Sequence, residues 1–148
     1  KKLTIVDIHD YDEFNPYHDE FIDVADILFV SGVNIKDHDL FLKKMIVDKE
    51  AVIITKSSLG SMAIDKTRKI YHQKVYNLDY IIDSNGAGDS YSAGYVYEFL
   101  RSESVAKAMK YGSICGSLAC QSNLLYNPLA TSSYIDKIFY QDWRITID

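Results

Sequence analysis

Three short apolar runs constrain the fold of this chain more than any other feature of its sequence. They cover residues 3–8, 26–30 and 51–55 and are rich in branched side chains. Each run has the length and composition of a buried β-strand. The segments between the runs have helical character. Buried strands that alternate with helices predict an α/β fold with a parallel sheet flanked by helices.

The remaining segments complete this prediction. Residues 37–47 predict an amphipathic helix whose apolar side chains stand among charged ones: Leu40, Phe41, Met45 and Ile46. Residues 61–65 and 69–75 alternate in polarity around a polar turn, which predicts a small antiparallel hairpin. Three later segments predict helices: residues 91–101, 104–120 and 132–140. The second of these is rich in small residues, which would let it approach a neighbouring helix closely.

A glycine-rich stretch carries the strongest functional signal. Residues 83–94 read Asp-Ser-Asn-Gly-Ala-Gly-Asp-Ser-Tyr-Ser-Ala-Gly, and they follow an apolar run at residues 80–82 that we expect to form a strand. In the order strand, glycine turn, helix, free N–H groups converge and the helix dipole adds positive potential, which suits a phosphate. Asp89 falls in the first helical turn, where its carboxylate can accept a proton from a substrate hydroxyl that attacks phosphorus.

A simpler interpretation of the same stretch is a capped helix after a flexible turn. Asp, Ser and Asn are favoured as N-caps, so Asp83 or Ser84 could fill that position without any ligand. The short pattern Gly-x-Gly-Asp does not by itself separate the two interpretations.

The longer string resembles the second signature of the ribokinase family, also called the PfkB family of carbohydrate kinases. Six positions match that signature: Asp83, Gly86, Ala87, Gly88, Asp89 and Gly94. Ser84 stands where the family has Thr, and Tyr91 stands where it has Phe. The resemblance implies a ribokinase-like fold, an anion hole formed by Gly86, Ala87 and Gly88, and Asp89 as catalytic base.

The same resemblance implies further ligands. Residues 55–60 are similar to the family's T-x-G-x-x-G turn, with Ser57 in place of the middle glycine. Nucleotide contacts are therefore expected at four residues: Thr55, Ser57, Gly60 and Asn85. ATP and Mg²⁺ are the expected cofactors, and the loop at Asp83 is the expected place for a monovalent cation, K⁺.

The resemblance covers only the C-terminal half of the family's sequence. We therefore expect residues 1–148 to be the C-terminal part of a kinase domain, inactive in isolation, with a missing N-terminal portion or a homodimer partner. The chain departs from the family at Ser31 and Asn34, where much of the family has Asn-x-x-Glu. Fructoselysine kinases, which act on an amine-modified sugar, resemble it in this respect. A sugar kinase, a nucleoside or vitamin kinase, and a truncated non-catalytic relative that binds nucleotide remain alternatives.

Composition narrows the class of partner. A formal net charge of −5 argues against a broad nucleic-acid-binding face, and no apolar run approaches the length of a membrane span. The two cysteines, Cys115 and Cys120, are expected to be small buried residues rather than a disulfide or a metal pair. Their free thiols would fit a reducing, cytoplasmic compartment.

Overall fold

The computed structural model describes residues 2–76 and 80–144, with side chains up to residue 141. The chain divides into two compact units, Lys1–Gln73 and Lys74–Asp148. The first contains five strands: β1 (Ile5–Ile8), β2 (Ile27–Ser31), β3 (Ala51–Thr55), β4 (Ser61–Asp65) and β5 (Ile70–Gln73). It also contains two α-helices, α1 (Asp19–Val24) and α2 (His38–Met45). The described part of the second unit is helical: α3 (Ala87–Ser102), α4 (Val105–Ala119) and α5 (Ser132–Arg144).

The five strands form one sheet in the order β1-β2-β3-β4-β5. Strands β1, β2 and β3 are parallel, whereas β4 and β5 add an antiparallel hairpin next to β3. In this register Ile8 lies opposite Val30, and Val30 lies opposite Ile54, so the three parallel strands end at the same edge of the sheet. The predicted α/β fold with a parallel sheet and a small antiparallel hairpin is confirmed.

The strands differ in how well their burial was predicted from the sequence. The first four residues of β2 and of β3 are buried, as a continuous apolar run predicts. Strand β1 lies at the edge of the sheet, and Ile5 is 40% exposed while only Ile8 is buried. The predicted strand is present, but the prediction that it is buried was wrong, because an edge strand has a neighbouring strand on one side only.

Helix α2 packs on the sheet with a narrower apolar face than the sequence predicts. The Asp37 carboxylate caps the helix by accepting a hydrogen bond of 2.9 Å from the N–H of Leu40. Phe41 and Leu42 belong to the same core cluster as Val30 and Ile54. Leu40, which was predicted to lie on the apolar face, is 65% exposed, because it belongs to the solvent side of the first helical turn.

In the second unit, α3 and α4 approach each other where α4 has glycines. A Cβ atom on Gly112 would lie 2.8 Å from the carbonyl oxygen of Tyr91, and one on Gly116 would lie 2.9 Å from that of Ala87. Both separations are too short for a real Cβ contact, so any larger residue would push the helices apart. The predicted close approach of the helix rich in small residues is confirmed.

The two cysteines are free thiols and form no disulfide. Both are only partly buried, less than the sequence analysis predicted. Burial raises the pKa of the Cys115 thiol to about 12, so this sulfur stays protonated near neutral pH. Cys120 is the C-cap of α4, and its Sγ donates to the carbonyl of Gly116 at 3.4 Å.

Candidate functional site

The glycine-rich stretch forms the N-terminus of α3. The helix begins at Ala87, and its N-cap is Gly86, with φ 76° and ψ 0° in the left-handed region. Asp89 lies in the first turn, as predicted, and its side chain is exposed. The alternative interpretation, in which Asp83 or Ser84 caps the helix, was wrong. The Asp83 carboxylate instead accepts two hydrogen bonds from Asn85, at 3.0 Å from its N–H and 3.3 Å from its Nδ2.

Residues 80–82 do not form the strand predicted before this turn. The N–H groups of Ile82 and Asp83 both donate to the carbonyl of Cys120, at 2.8 and 3.2 Å. The backbone there is therefore paired with the C-terminal end of α4 rather than with a strand. The side chains of Tyr80, Ile81 and Ile82 are exposed, so their apolar character did not reflect burial.

A second backbone contact holds the turn from the loop after α4. A Cβ atom on Gly86 would overlap the carbonyl group of Leu125. Two features therefore require glycine at this position: its positive φ and the close approach of the Leu125 carbonyl. Sequence analysis missed both Cys120 and Leu125, because each acts through its backbone carbonyl and any residue type supplies that group.

The first turn of α3 leaves amide groups available for an anion. The N–H of Ala87 donates to the carbonyl of Ser84 at 3.2 Å, and that of Ser90 donates to the carbonyl of Gly86 at 2.9 Å. Within the part of the chain that the structure describes, the N–H groups of Gly86 and Gly88 have no acceptor. Gly88 also has open space around it, since an added Cβ atom would meet nothing within 4 Å. Two unpaired amides at the positive end of a helix are suited to hold an anion.

The other predicted ligand turn joins β3 to β4 in the first unit. Thr55 pairs with Ser61 across the two strands, and the N–H of Lys56 donates to the carbonyl of Gly60 at 2.8 Å. Ser57 has φ 51° and Gly60 has φ 88°, so both lie at positive φ. Thr55, Ser57 and Gly60 thus belong to one tight turn within this unit.

Comparison with known proteins identifies the family. The sequence profile of the pfkB family carbohydrate kinases matches residues 20–132. The chain belongs to the pfkB family of carbohydrate kinases. It is 30% identical over 90 residues to a 5-dehydro-2-deoxygluconokinase of Geobacillus kaustophilus, covering 61% of this chain. It is 26% identical over 118 residues to an acarbose 7(IV)-phosphotransferase of Actinoplanes sp., covering 77% of this chain.

Solved structures agree on the fold. A microbiome-derived acarbose kinase superposes with a TM-score of 0.81 at 23% identity over 94% of this chain. A putative ribokinase II of E. coli, solved with ATP and Mg²⁺, superposes with a TM-score of 0.72 at 17% identity over 83% of this chain. This pfkB-family chain spans 27% of the Geobacillus relative, 40% of the Actinoplanes relative and 48% of the acarbose kinase structure. Within the described residues, α3, α4 and the other helices are all too short or too polar to cross a membrane.

The positive φ of Ser57 favours glycine at this position, and this gives a testable prediction. A residue with a Cβ atom is strained in the left-handed region by about 1–2 kcal/mol. We therefore expect Ser57→Gly to stabilise the chain by about 0.5–1 kcal/mol, measured by urea unfolding. The matched control is Ser58→Gly in the same turn, where φ is not positive and glycine should destabilise. Equal changes in the free energy of unfolding for the two substitutions would contradict backbone strain at Ser57.

The two residues at which the sequence analysis noted a departure from Asn-x-x-Glu lie at the carboxyl end of β2 and just after it. Ser31 ends β2, and Asn34 follows in a short 3-10 helix, Gly32–Asn34. The Asn34 side chain donates to the carbonyl of Tyr11 at 3.3 Å, so here it ties down the loop after β1. The sequence pattern did not indicate that Asn34 would hold the loop after β1 in this way.

Proposed function

We propose that this chain forms the nucleotide-binding half of an ATP-dependent kinase that phosphorylates a hydroxyl group of a sugar or sugar derivative. One observation supports the proposal above all: the first turn of α3 combines the available amides of Gly86 and Gly88 with the carboxylate of Asp89. Phosphoryl transfer needs both a positively polarised anion site and a proton acceptor for the attacking hydroxyl. Family membership supports the same chemistry.

Each residue of the turn has a distinct role in this proposal. The amides of Gly86 and Gly88, with the dipole of α3, stabilise negative charge on the transferring phosphoryl group. Ala87 contributes mainly through the helix dipole, because its N–H already donates to Ser84. Asp89 accepts the proton of the substrate hydroxyl as that oxygen attacks phosphorus.

The residues proposed to bind the nucleotide and the ions follow from the family resemblance and from the oxygen ligands at the turn. Thr55, Ser57 and Gly60 are proposed to contact ATP, as is Asn85. Mg²⁺ would bind the phosphate oxygens of ATP and neutralise charge there. The Asp83 carboxylate oxygens each accept one hydrogen bond from Asn85 and keep further lone pairs, so this oxygen site fits a K⁺ ion.

The substrate is proposed at the level of a class. The names of the relatives given above indicate that they act on 5-dehydro-2-deoxygluconate and on acarbose, which both carry hydroxyl groups. An amine-modified sugar such as fructoselysine is a narrower candidate, suggested by the departure at Ser31 and Asn34. The free thiols Cys115 and Cys120 fit action in the reducing cytoplasm.

A second candidate is a relative that binds nucleotide without turnover. Retention of Asp89 in the first turn of α3 favours the kinase, because nucleotide binding alone does not require a proton acceptor. A nucleoside as acceptor is a third candidate, suggested by a nucleoside kinase of Methanocaldococcus jannaschii with the same fold at a TM-score of 0.71.

Calorimetric titration of the chain with ATP and Mg²⁺ tests the proposal. We expect weak binding, with a Kd on the order of 1 mM. Adenosine is the control, because it keeps the base and ribose but lacks the phosphates that the α3 turn would bind. ATP should bind at least about tenfold more tightly than adenosine, a difference of about 1.4 kcal/mol. Absence of both heat and a thermal shift at millimolar ATP would overturn the proposed function.

A further inference from the structure

We propose that Asn85 is a site of spontaneous deamidation, and that its conversion reduces phosphate binding at the N-terminus of α3. The chain has six asparagines, and Asn85 is the only one followed by glycine. The others precede bulkier residues or proline: Asn15, Asn34, Asn77, Asn123 and Asn127. Glycine has no side chain to hinder attack by its own nitrogen, whereas proline has no N–H to lose.

The reaction needs only water. The backbone nitrogen of Gly86 loses its proton and attacks the side-chain carbonyl carbon of Asn85. A new C–N bond closes a succinimide ring, the bond to Nδ2 breaks, and Nδ2 leaves as ammonia. Water then opens the ring at either carbonyl, giving an aspartate or an isoaspartate at position 85. The net change is amide plus water to carboxylate plus ammonium, without any oxidant or reductant.

The structure favours this reaction at Asn85. The residue is exposed and lies in the turn before α3, outside any regular element. In the described residues the Gly86 N–H donates to no acceptor, so no hydrogen bond must break before the nitrogen attacks. The positive end of the α3 dipole lowers the cost of the nitrogen anion. Asp83 Oδ2 accepts from Asn85 Nδ2 at 3.3 Å, so the reacting carboxamide is held at the turn.

The consequence for binding follows from charge and geometry. Deamidation places a new negative charge next to Gly86, whose amide is one of the two available donors. The isoaspartate product also inserts a methylene group into the backbone and displaces that amide. Both products oppose a bound phosphate. This part of the inference rests on the proposed function, whereas the reaction at Asn85 does not.

Peptide mapping by mass spectrometry tests the reaction. The chain is incubated at pH 8.5 and 37 °C, sampled over days and digested, and a gain of about 1 Da is assigned by fragmentation. Asn85 should convert at least about tenfold faster than Asn123, an exposed asparagine in the same sample that precedes leucine. The variant Asn85→Gln should show no fast-converting site. Conversion of Asn85 no faster than Asn123 would overturn the proposal.

Calorimetry on the same samples tests the consequence. Aged wild-type chain, separated by ion exchange from unconverted chain, should bind ATP about tenfold or more weakly than fresh chain. Asn85→Gln should show the same affinity before and after ageing. Equal ATP affinity of converted and fresh wild-type chain would overturn the effect on phosphate binding. If fresh chain binds no ATP, the proposed function fails, while the mass measurement still decides the reaction at Asn85.

Discussion

Replacing Asp89 by asparagine is expected to lower kcat by roughly 10²–10⁴-fold in a full-length kinase that contains this chain. Asparagine has nearly the same size as aspartate, and the N-cap of α3 is Gly86 rather than Asp89, so the first turn of α3 should persist. The substitution removes the proton acceptor and one negative charge. ATP affinity should therefore hold or improve, because a charge beside the phosphates is lost.

Single-turnover rates at saturating ATP and sugar measure this effect without interference from product release. The matched control is Asp39→Asn, which also replaces an exposed aspartate in the first turn of a helix, α2. The control should retain wild-type kcat. A loss at Asp89 of less than about tenfold, worth only ~1.4 kcal/mol of barrier, would refute its role as base.

Replacing Gly88 by valine is expected to weaken ATP binding by at least about tenfold while leaving the thermal midpoint close to wild type. An added Cβ atom meets no protein atom within 4 Å, so the substitution creates no clash in the chain itself. Valine is also no worse than glycine as a helix former. The branched side chain would instead occupy the open space in which phosphate oxygens are proposed to lie.

Gly86→Ala is the contrasting control for Gly88→Val. At Gly86 the φ is positive and the carbonyl of Leu125 is in contact, so alanine should lower the thermal midpoint as well as binding. Differential scanning calorimetry and ATP titration of both variants separate folding from binding. Unchanged ATP affinity in Gly88→Val would show that no phosphate oxygen approaches Gly88.

The parts of the fold that sequence predicts well are those set by local pattern. Strands β2 and β3 are continuous apolar runs because they are interior strands of the sheet, and each boundary was predicted within one residue. The position of Asp89 in the first turn of α3 was also predicted, because a glycine turn followed by a helical pattern indicates where the helix begins.

The parts that sequence predicts poorly depend on distant neighbours. The sequence of residues 80–82 predicts a strand, but the N–H of Ile82 donates to the carbonyl of Cys120, 38 residues further along the chain. The N-cap is Gly86 rather than Asp83, and the backbone carbonyl of Leu125 lies so close to Gly86 that a Cβ atom there would overlap it. Neither partner offers a distinctive side chain for this role, so no residue pattern could have indicated these contacts.

Amide NMR during titration with ATP and Mg²⁺ tests most directly whether the N-terminus of α3 is the phosphate site. The account predicts that the largest saturable shifts in the second unit occur at the N–H groups of Gly86 and Gly88. Adenosine should leave these two resonances in place. A phosphate site at this turn would be contradicted if ATP left the Gly86 and Gly88 resonances unshifted, or if adenosine shifted them as much as ATP does.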